Sequence, residues 1–107
     1  MNKLENLNNM TAEILKKYPE AAQSIFNIDG TDDSDYWAVY DSFAWHGSDG
    51  KYRTFASSCS KNDGTPIIRI PSTNEDEDFI QYIIDISEKY KIDFEDQRTW
   101  TTLCRNK

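Results

Sequence analysis

The hydrophobic positions of the first eighteen residues recur at helical spacing. At about 100° per residue, one arc carries Leu4, Leu7, Met10, Thr11, Ile14, Leu15 and Tyr18. The pattern predicts a helix over residues 2–18 that stops near Lys17, because Pro19 lacks the backbone N–H that would continue it. Proline suits the first turn of a helix, so a second, short helix is predicted to start at Pro19 and to carry Ile25 and Phe26.

Residues 36–45 are the most aromatic part of the chain, and they fit two periodicities. With period two, one face holds Trp37, Val39, Phe43 and Trp45, whereas helical spacing gives a stripe of Tyr36, Val39, Tyr40 and Phe43. The aromatic content and the turn residues at 47–50 favour a strand that enters a hairpin. We therefore predict a strand, while a helix capped by Ser34 and ending at Gly47 stays open.

Two shorter strands are predicted after the hairpin. Residues 51–58 alternate in the manner of a return strand, and 66–70 form a short β-branched run that Pro71 ends. A turn at 62–64 separates them. Residues 36–70 are thus expected to form a three-stranded antiparallel meander.

The clearest amphipathic helix follows, at about 73–91. Its broad apolar arc is predicted to lie across the sheet, and it consists of Phe79, Ile80, Tyr82, Ile83, Ile84, Ile86 and Tyr90. Ser72 with Glu75, or Thr73 with Asp76, predicts a capping-box start. Residues 99–104 have strand composition and are expected to add an edge strand. The predicted fold class is α+β, with N-terminal helices and a three- to four-stranded antiparallel sheet packed on a long helix.

Composition restricts the class of protein. The chain has 107 residues with 19 acidic against 12 basic side chains, a net charge of −7 and 13% aromatic residues. Its length predicts a single domain over 1–107, and its aromatic content is untypical of a disordered acidic tail. Acidity disfavours direct nucleic-acid binding. No apolar run approaches the roughly 18 residues of a membrane span, and the N-terminus lacks a secretory signal, so a cytoplasmic protein is expected.

Candidate catalytic and metal-binding residues are sparse. His46 is the only histidine, and no serine lies in a nucleophile elbow. His46, Cys59 and Cys104 lack zinc-site spacing, and the aspartates at 29–35 lack the register of a calcium loop. Neither an enzyme nor a cofactor or metal site is therefore predicted. Two separate reduced thiols are favoured for Cys59 and Cys104, with a disulfide as the alternative.

The charges fall in blocks. Residues 31–50 carry five aspartates and no lysine or arginine, and residues 72–97 carry nine acids against two lysines. One interpretation is an acidic face that steers a basic partner; the other is a solvated surface whose acids serve the helix dipole. Tyr36 and Tyr40 are expected either on an outer face of the sheet, beside Asp32, Asp33, Asp35 and Asp41, or in the core beneath the N-terminal helices.

These observations predict a small acidic inhibitor of a basic, nucleic-acid-handling protein. It would be an immunity protein or antitoxin against a nuclease toxin, or a phage anti-defence protein, such as an anti-CRISPR or anti-restriction protein, that mimics nucleic acid. The predicted steering residues are Asp32, Asp33, Asp35 and Asp41, the anchors Tyr36, Tyr40 and Trp45, and a second acidic patch Glu75, Asp76, Glu77 and Asp78. The oligomeric state is left open between monomer and homodimer. The alternative function is a self-assembling structural or adaptor module, an obligate homodimer that pairs through helix 73–91 or an open edge at 51–58.

Overall fold

The chain forms a mixed six-stranded sheet with two helices on one face. The structure, a computed structural model, describes residues 3–26, 38–59, 65–99 and 101–103; for 3, 4, 25, 26, 38–40 and 101–103 it describes the backbone alone. The elements in chain order are α1 (Lys3–Lys17), a 3₁₀ helix (Pro19–Ser24), β1 (Ile25–Phe26), β2 (Ala38–His46), β3 (Tyr52–Cys59), β4 (Pro66–Ile70), α2 (Glu77–Lys89), β5 (Asp93–Asp96) and β6 (Thr101–Leu103).

The order of the strands in the sheet follows their order in the chain. The predicted α+β class is confirmed, as are the antiparallel meander of β2, β3 and β4 and the edge strand near 99–104. The sheet is not wholly antiparallel, however, because β5 pairs in parallel with β4. A parallel neighbour needs a crossover connection, and α2 supplies it.

The N-terminal helix ends where Pro19 predicts, but the second predicted helix is only a 3₁₀ turn. Ile25 and Phe26 are strand rather than helix, and they pair with Phe43 and Ser42 of β2. The Ser24 hydroxyl accepts a hydrogen bond from the Ala44 backbone N–H at 3.2 Å. The free edge of β2 offers backbone partners that a continued helix could not use, so the chain leaves the helix there.

The aromatic segment is a strand, and the helical alternative for it is wrong. β2 runs from Ala38 to His46 and carries a β-bulge, because Val39 pairs with Ser58 while Asp41 pairs with Ser57. A bulge interrupts the strict alternation of a strand. The predicted face of Val39, Phe43 and Trp45 is therefore not continuous, and Trp37, which is predicted on the same face, lies outside the described residues.

Helix α2 is 13 residues long, shorter than the predicted helix 73–91. Both predicted capping boxes are wrong, because the N-cap is Asp76, whose Oδ1 accepts the Asp78 N–H at 3.0 Å. The residues before Asp76 do not join the helix, because Asn74 and Glu75 bind the edge of β3, as described below. None of the helices in the described ranges is long and apolar enough to cross a membrane.

The core lies between the sheet and the two helices. It contains Leu7, Met10, Ile14, Phe43, Trp45, Phe55, Ile68, Ile70, Phe79, Ile80, Ile83, Ile86, Ile92 and Phe94, among others. Phe43 and Phe55 stack across β2 and β3 with ring centroids 4.5 Å apart. Strand β3 has a paired neighbour on each side, so the open edge expected at 51–58 is wrong. Most of the apolar arc of α2 packs into the core, because Phe79, Ile80, Ile83 and Ile86 are buried, while Tyr82, Ile84 and Tyr90 are half-buried.

Ile83 tests the packing of α2 against the sheet. Its side chain is fully buried, so Ile83→Ala should lower the free energy of unfolding by about 2–5 kcal/mol. The matched control is Ile84→Ala on the half-buried neighbour, for which a smaller loss is expected. Urea unfolding measures both, and equal losses would contradict the burial of Ile83.

The end of α2 gives a second test of stability. The Lys91 and Ile92 backbone N–H groups donate to the Glu88 and Ser87 carbonyls in a Schellman arrangement, with Lys91 at φ 54°. A side chain is strained in this left-handed region, so Lys91→Gly should raise the free energy of unfolding by about 1 kcal/mol. Lys91→Ala keeps the strain and should leave stability unchanged; an equal gain in both variants would exclude strain as the cause.

Candidate protein-binding surface

One buried arginine organises the acidic residues at one end of the sheet. Arg53 lies on β3 with only 6% of its surface exposed. Its Nη1 and Nη2 donate to the two carboxylate oxygens of Asp49 at 3.1 and 2.7 Å. Its Nε and Nη2 donate to Oδ2 of Asp76 at 3.0 and 2.7 Å. The guanidinium therefore joins the β2–β3 hairpin to the start of α2.

The pKa values of these groups reflect the pairing. The Arg53 guanidinium, helped by the Lys51 backbone N–H, lowers the pKa of Asp49 to about 2. Burial by itself would raise the pKa of Asp76, but its hydrogen bonds from Arg53 and from backbone N–H groups outweigh burial and lower it. Hydrogen bonding to Asp49 raises the pKa of Arg53. All three groups are therefore charged at neutral pH.

The hairpin loop leaves room for the guanidinium because residue 47 is glycine. A Cβ at Gly47 would collide with Nη1 of Arg53 and lie 2.8 Å from Oδ1 of Asp49. The loop is closed by the Gly47 N–H, which donates to the Lys51 carbonyl at 3.0 Å. The ion pair between Arg53 and Asp49 therefore requires a residue without a side chain at position 47.

The segment before α2 completes the edge of β3. Strand β4 covers only the second half of β3. In the first half, the Thr54 N–H donates to Oδ1 of Asn74 at 2.7 Å, while Nδ2 of Asn74 donates to the Thr54 carbonyl at 3.1 Å. The Tyr52 N–H donates to Oε2 of Glu75 at 2.7 Å, and the Glu75 N–H donates to the Tyr52 carbonyl at 2.9 Å. The side chain of Asn74 and the side chain and backbone of Glu75 therefore take the place of a paired strand.

The four residues of the predicted second patch have different environments. Asp76 is buried as the helix N-cap and arginine partner, so it is not available as a surface contact. Glu75 binds β3 yet stays exposed, and Glu77 is exposed while pairing with Nη1 of Arg98 at 2.8 Å. Asp78 is exposed and forms no ion pair within the described part of the chain.

Glu20 adds to this surface. It lies at the start of the 3₁₀ helix and is exposed. Glu20 is two residues after Tyr18, and Asp78 precedes Phe79, whose ring packs against that of Tyr18 with centroids 5.1 Å apart. Burial raises the pKa of Tyr18, the charge of Asp76 raises it further while that of Arg53 lowers it, and the charges of Asp78 and Glu20 also raise it. We call this surface the acidic end and define it as Glu20, Asp49, Glu75, Glu77 and Asp78.

The first predicted block is only partly described. Asp32, Asp33, Asp35 and Tyr36 lie outside the described residues, and of Tyr40 only the backbone is described. Asp41 is half-buried and pairs with Ser57, whose hydroxyl is 3.2 Å from that of Thr11 on α1. Asp41 therefore lies on the sheet face that the helices cover.

Trp45 is not an exposed anchor, and that prediction is wrong. Its side chain is buried in the core, with the ring centroid 5.5 Å from that of Phe79 and 6.1 Å from that of Tyr18. The strand alternation that groups Trp45 with Phe43 is the reason, since both point toward the helices.

Two tyrosines near the surface escaped the sequence interpretation. Tyr18 and Tyr82 were assigned to apolar helix faces, yet both are only half-buried, and their ring centroids lie 5.8 Å apart. Their residue type could have indicated this exposure, because a tyrosine at the border of an apolar arc keeps its hydroxyl in solvent.

Among the described residues, no group of three histidine, cysteine or acidic side chains could hold a metal ion. His46 is exposed, with its ring centroid 5.2 Å from that of Tyr52. Cys59 is a buried free thiol, and Cys104 lies outside the described residues.

We compared the chain with models of known protein families, with curated proteins and with solved structures. None of them matches it.

Stability at low pH tests the arginine cluster. Because the pKa values of Asp49 and Asp76 are lower in the folded chain than the roughly 3.9 of an unfolded aspartate, their stabilisation is present above about pH 4 and is lost as the pH falls toward 2. Asp49→Asn should destabilise the protein at neutral pH and reduce the loss of stability on acidification. Asp85→Asn, on the exposed side of α2, is the charge-matched control. Thermal unfolding across pH measures this, and identical profiles for wild type and Asp49→Asn would contradict it.

Proposed function

We propose that this chain is a small acidic cytoplasmic protein that binds and inhibits a basic, nucleic-acid-handling protein. The observation that carries the proposal is the acidic end, where α2, the β2–β3 hairpin and the 3₁₀ helix bring carboxylates together. Carboxylates on such a surface take the place of the phosphates that a nucleic-acid-binding site attracts. They also accelerate encounter with a positively charged partner.

The charge available to a partner is less than the sequence suggests. Arg53 and Arg98 each pair with two carboxylates, Arg53 with Asp49 and Asp76 and Arg98 with Glu77 and Asp96. Each cluster therefore retains an excess of negative charge. Glu20, Glu75 and Asp78 add carboxylates that form no ion pair within the described ranges. A partner with clustered lysine and arginine would meet this excess directly.

Two biological roles share this surface. An immunity protein or antitoxin that blocks a nuclease toxin needs one acidic surface, which the acidic end supplies. A phage anti-defence protein that mimics nucleic acid needs a longer acidic track, for which Asp32, Asp33 and Asp35 would have to extend the same surface. The acidic end alone therefore favours the first role.

The structure supports a self-assembling module less than the sequence pattern did. The two features that favoured it were an open edge at 51–58 and the broad apolar face of the α2 helix. Strand β3 is interior, and most of the apolar arc of α2 is buried in the core. A second copy would have to use another surface.

Affinity capture with a matched pair of variants tests the proposal. The wild type and Asp78→Lys serve as bait in lysates of the source organism and of candidate host cells, with Asp85→Lys as the control on the same helix. Both aspartates are exposed, and the change of charge is identical. We expect the wild type and the control to retain one basic nucleic-acid-binding protein that high salt releases, and Asp78→Lys to retain less of it.

Inhibition is then measured directly. The purified chain should displace duplex DNA or RNA from the captured protein at stoichiometric concentration, with an association rate that falls as salt is raised. Reversal of Asp32, Asp33 and Asp35 to lysine separates the two roles, because only a nucleic-acid mimic needs both surfaces. Association rates that do not change with salt, or a bait recovered alone with a dimeric mass, would contradict the proposal.

A further inference from the structure

Tyr18 and Tyr82 form an aromatic surface where the two helices meet. Tyr18 follows the end of α1, and Tyr82 lies in the second turn of α2. The Tyr18 ring packs edge-on against the buried Phe79 with centroids 5.1 Å apart, so the core holds it in place. Both tyrosines keep part of their surface exposed. The pair is thus an aromatic surface that is partly open to solvent and packed against the core through Tyr18.

The hydroxyl groups of these tyrosines differ from that of a third. Tyr90, also half-buried on α2, donates its hydroxyl to Oε1 of Glu13 at 2.8 Å. The hydroxyls of Tyr18 and Tyr82 form no hydrogen bond within the described part of the chain. A fixed ring with an uncommitted hydroxyl suits a binding contact, because little conformational entropy is lost on binding.

Cations already lie against this pair. Nζ of Lys17 is 4.2 Å from the Tyr82 ring centroid and 6.0 Å from that of Tyr18. Cζ of the buried Arg53 lies 5.6 Å from the Tyr18 centroid. Lys17 is exposed and forms no ion pair in the described ranges. The chain's own lysine therefore marks a position at which these rings attract a cation.

The surroundings of the pair are complementary to a positive charge. Glu20 is two residues after Tyr18, Asp78 is next to Phe79, against which the Tyr18 ring packs, and both acidic residues are exposed. A cation from a partner would contact the ring faces and these exposed carboxylates, whereas Lys17 contacts the rings and forms no ion pair within the described residues. A partner side chain would therefore make contacts that the internal lysine does not make.

We propose that the Tyr18–Tyr82 pair is the anchor site for a lysine or arginine side chain of a basic protein partner, which displaces Lys17 from the Tyr82 ring. The inference rests on the proposed function and names the contact that gives it short-range affinity. The acidic end brings the partner close, and the tyrosine pair holds one of its cationic side chains.

A fluorescein-labelled octa-arginine peptide is the probe, and fluorescence anisotropy measures its binding. Tyr82→Leu should weaken binding by about fivefold, since a cation–π contact is lost. The matched control is Tyr90→Leu, which removes a half-buried tyrosine from the same helix, and its affinity should stay at the wild-type value. Tyr82→Phe keeps the ring and should retain most of the affinity.

Substitution of Lys17 tests the anchor site independently without disturbing the core, because this side chain is exposed. Lys17→Met should bind the peptide more tightly than wild type, because the competing ammonium is gone. Lys16→Met removes the same charge from the adjacent exposed position and should have a smaller effect. Unfolding midpoints of all variants show that the fold is retained, and this test remains decisive if Tyr82→Leu is unstable.

The outcomes separate this inference from the proposed function. Equal affinities for Tyr82→Leu and Tyr90→Leu, or for Lys17→Met and Lys16→Met, would overturn the anchor site. If Asp78→Lys still weakened the peptide in that case, the acidic end would stand. A wild-type protein that does not bind the peptide at low salt would overturn both.

Discussion

The acidic end depends on the ion pairs that the buried Arg53 guanidinium forms with Asp49 and Asp76. Removing an arginine from water is costly unless carboxylates pair with it and accept its hydrogen bonds. Asp49 and Asp76 do both, and they come from the hairpin and from the start of α2. The same contact therefore sets where the hairpin turns, where α2 begins and how closely two carboxylates approach. Gly47 leaves the space that this arrangement needs.

The residues of the acidic end stabilise the fold, and the proposed binding would use the same surface. Carboxylates in the first turn of α2 favour the helix dipole, Asp76 caps the helix, and Glu75 completes the edge of β3. Charge at this end is thus required by the fold even without a partner. Glu20 and Asp78 are exposed and form no ion pair among the described residues, and theirs is the charge that the proposed basic partner would use.

Several elements were predictable because local patterns decide them. The apolar period of α1 and its stop at Pro19 are local, as are the turn between β2 and β3 and the β-branched run of β4. Strand β5 was missed, since three acids in four residues do not resemble a strand. It forms because β4 offers a parallel edge, Phe94 is buried in the core and Asp96 pairs with Arg98 at 2.7 Å. The start of α2 was misplaced because Asn74 and Glu75 bind a distant strand.

The amino-acid sequence by itself determined the α+β class, the helical faces and the concentration of acids, because spacing and composition act within a few residues of one another. Only the tertiary structure decided which acids are exposed. Asp76 and Asp78 are two residues apart, yet one is buried against Arg53 and the other faces solvent. Trp45 is core, whereas Tyr18 and Tyr82 reach the surface. Exposure depends on contacts between residues far apart in the chain, and a local pattern does not contain them.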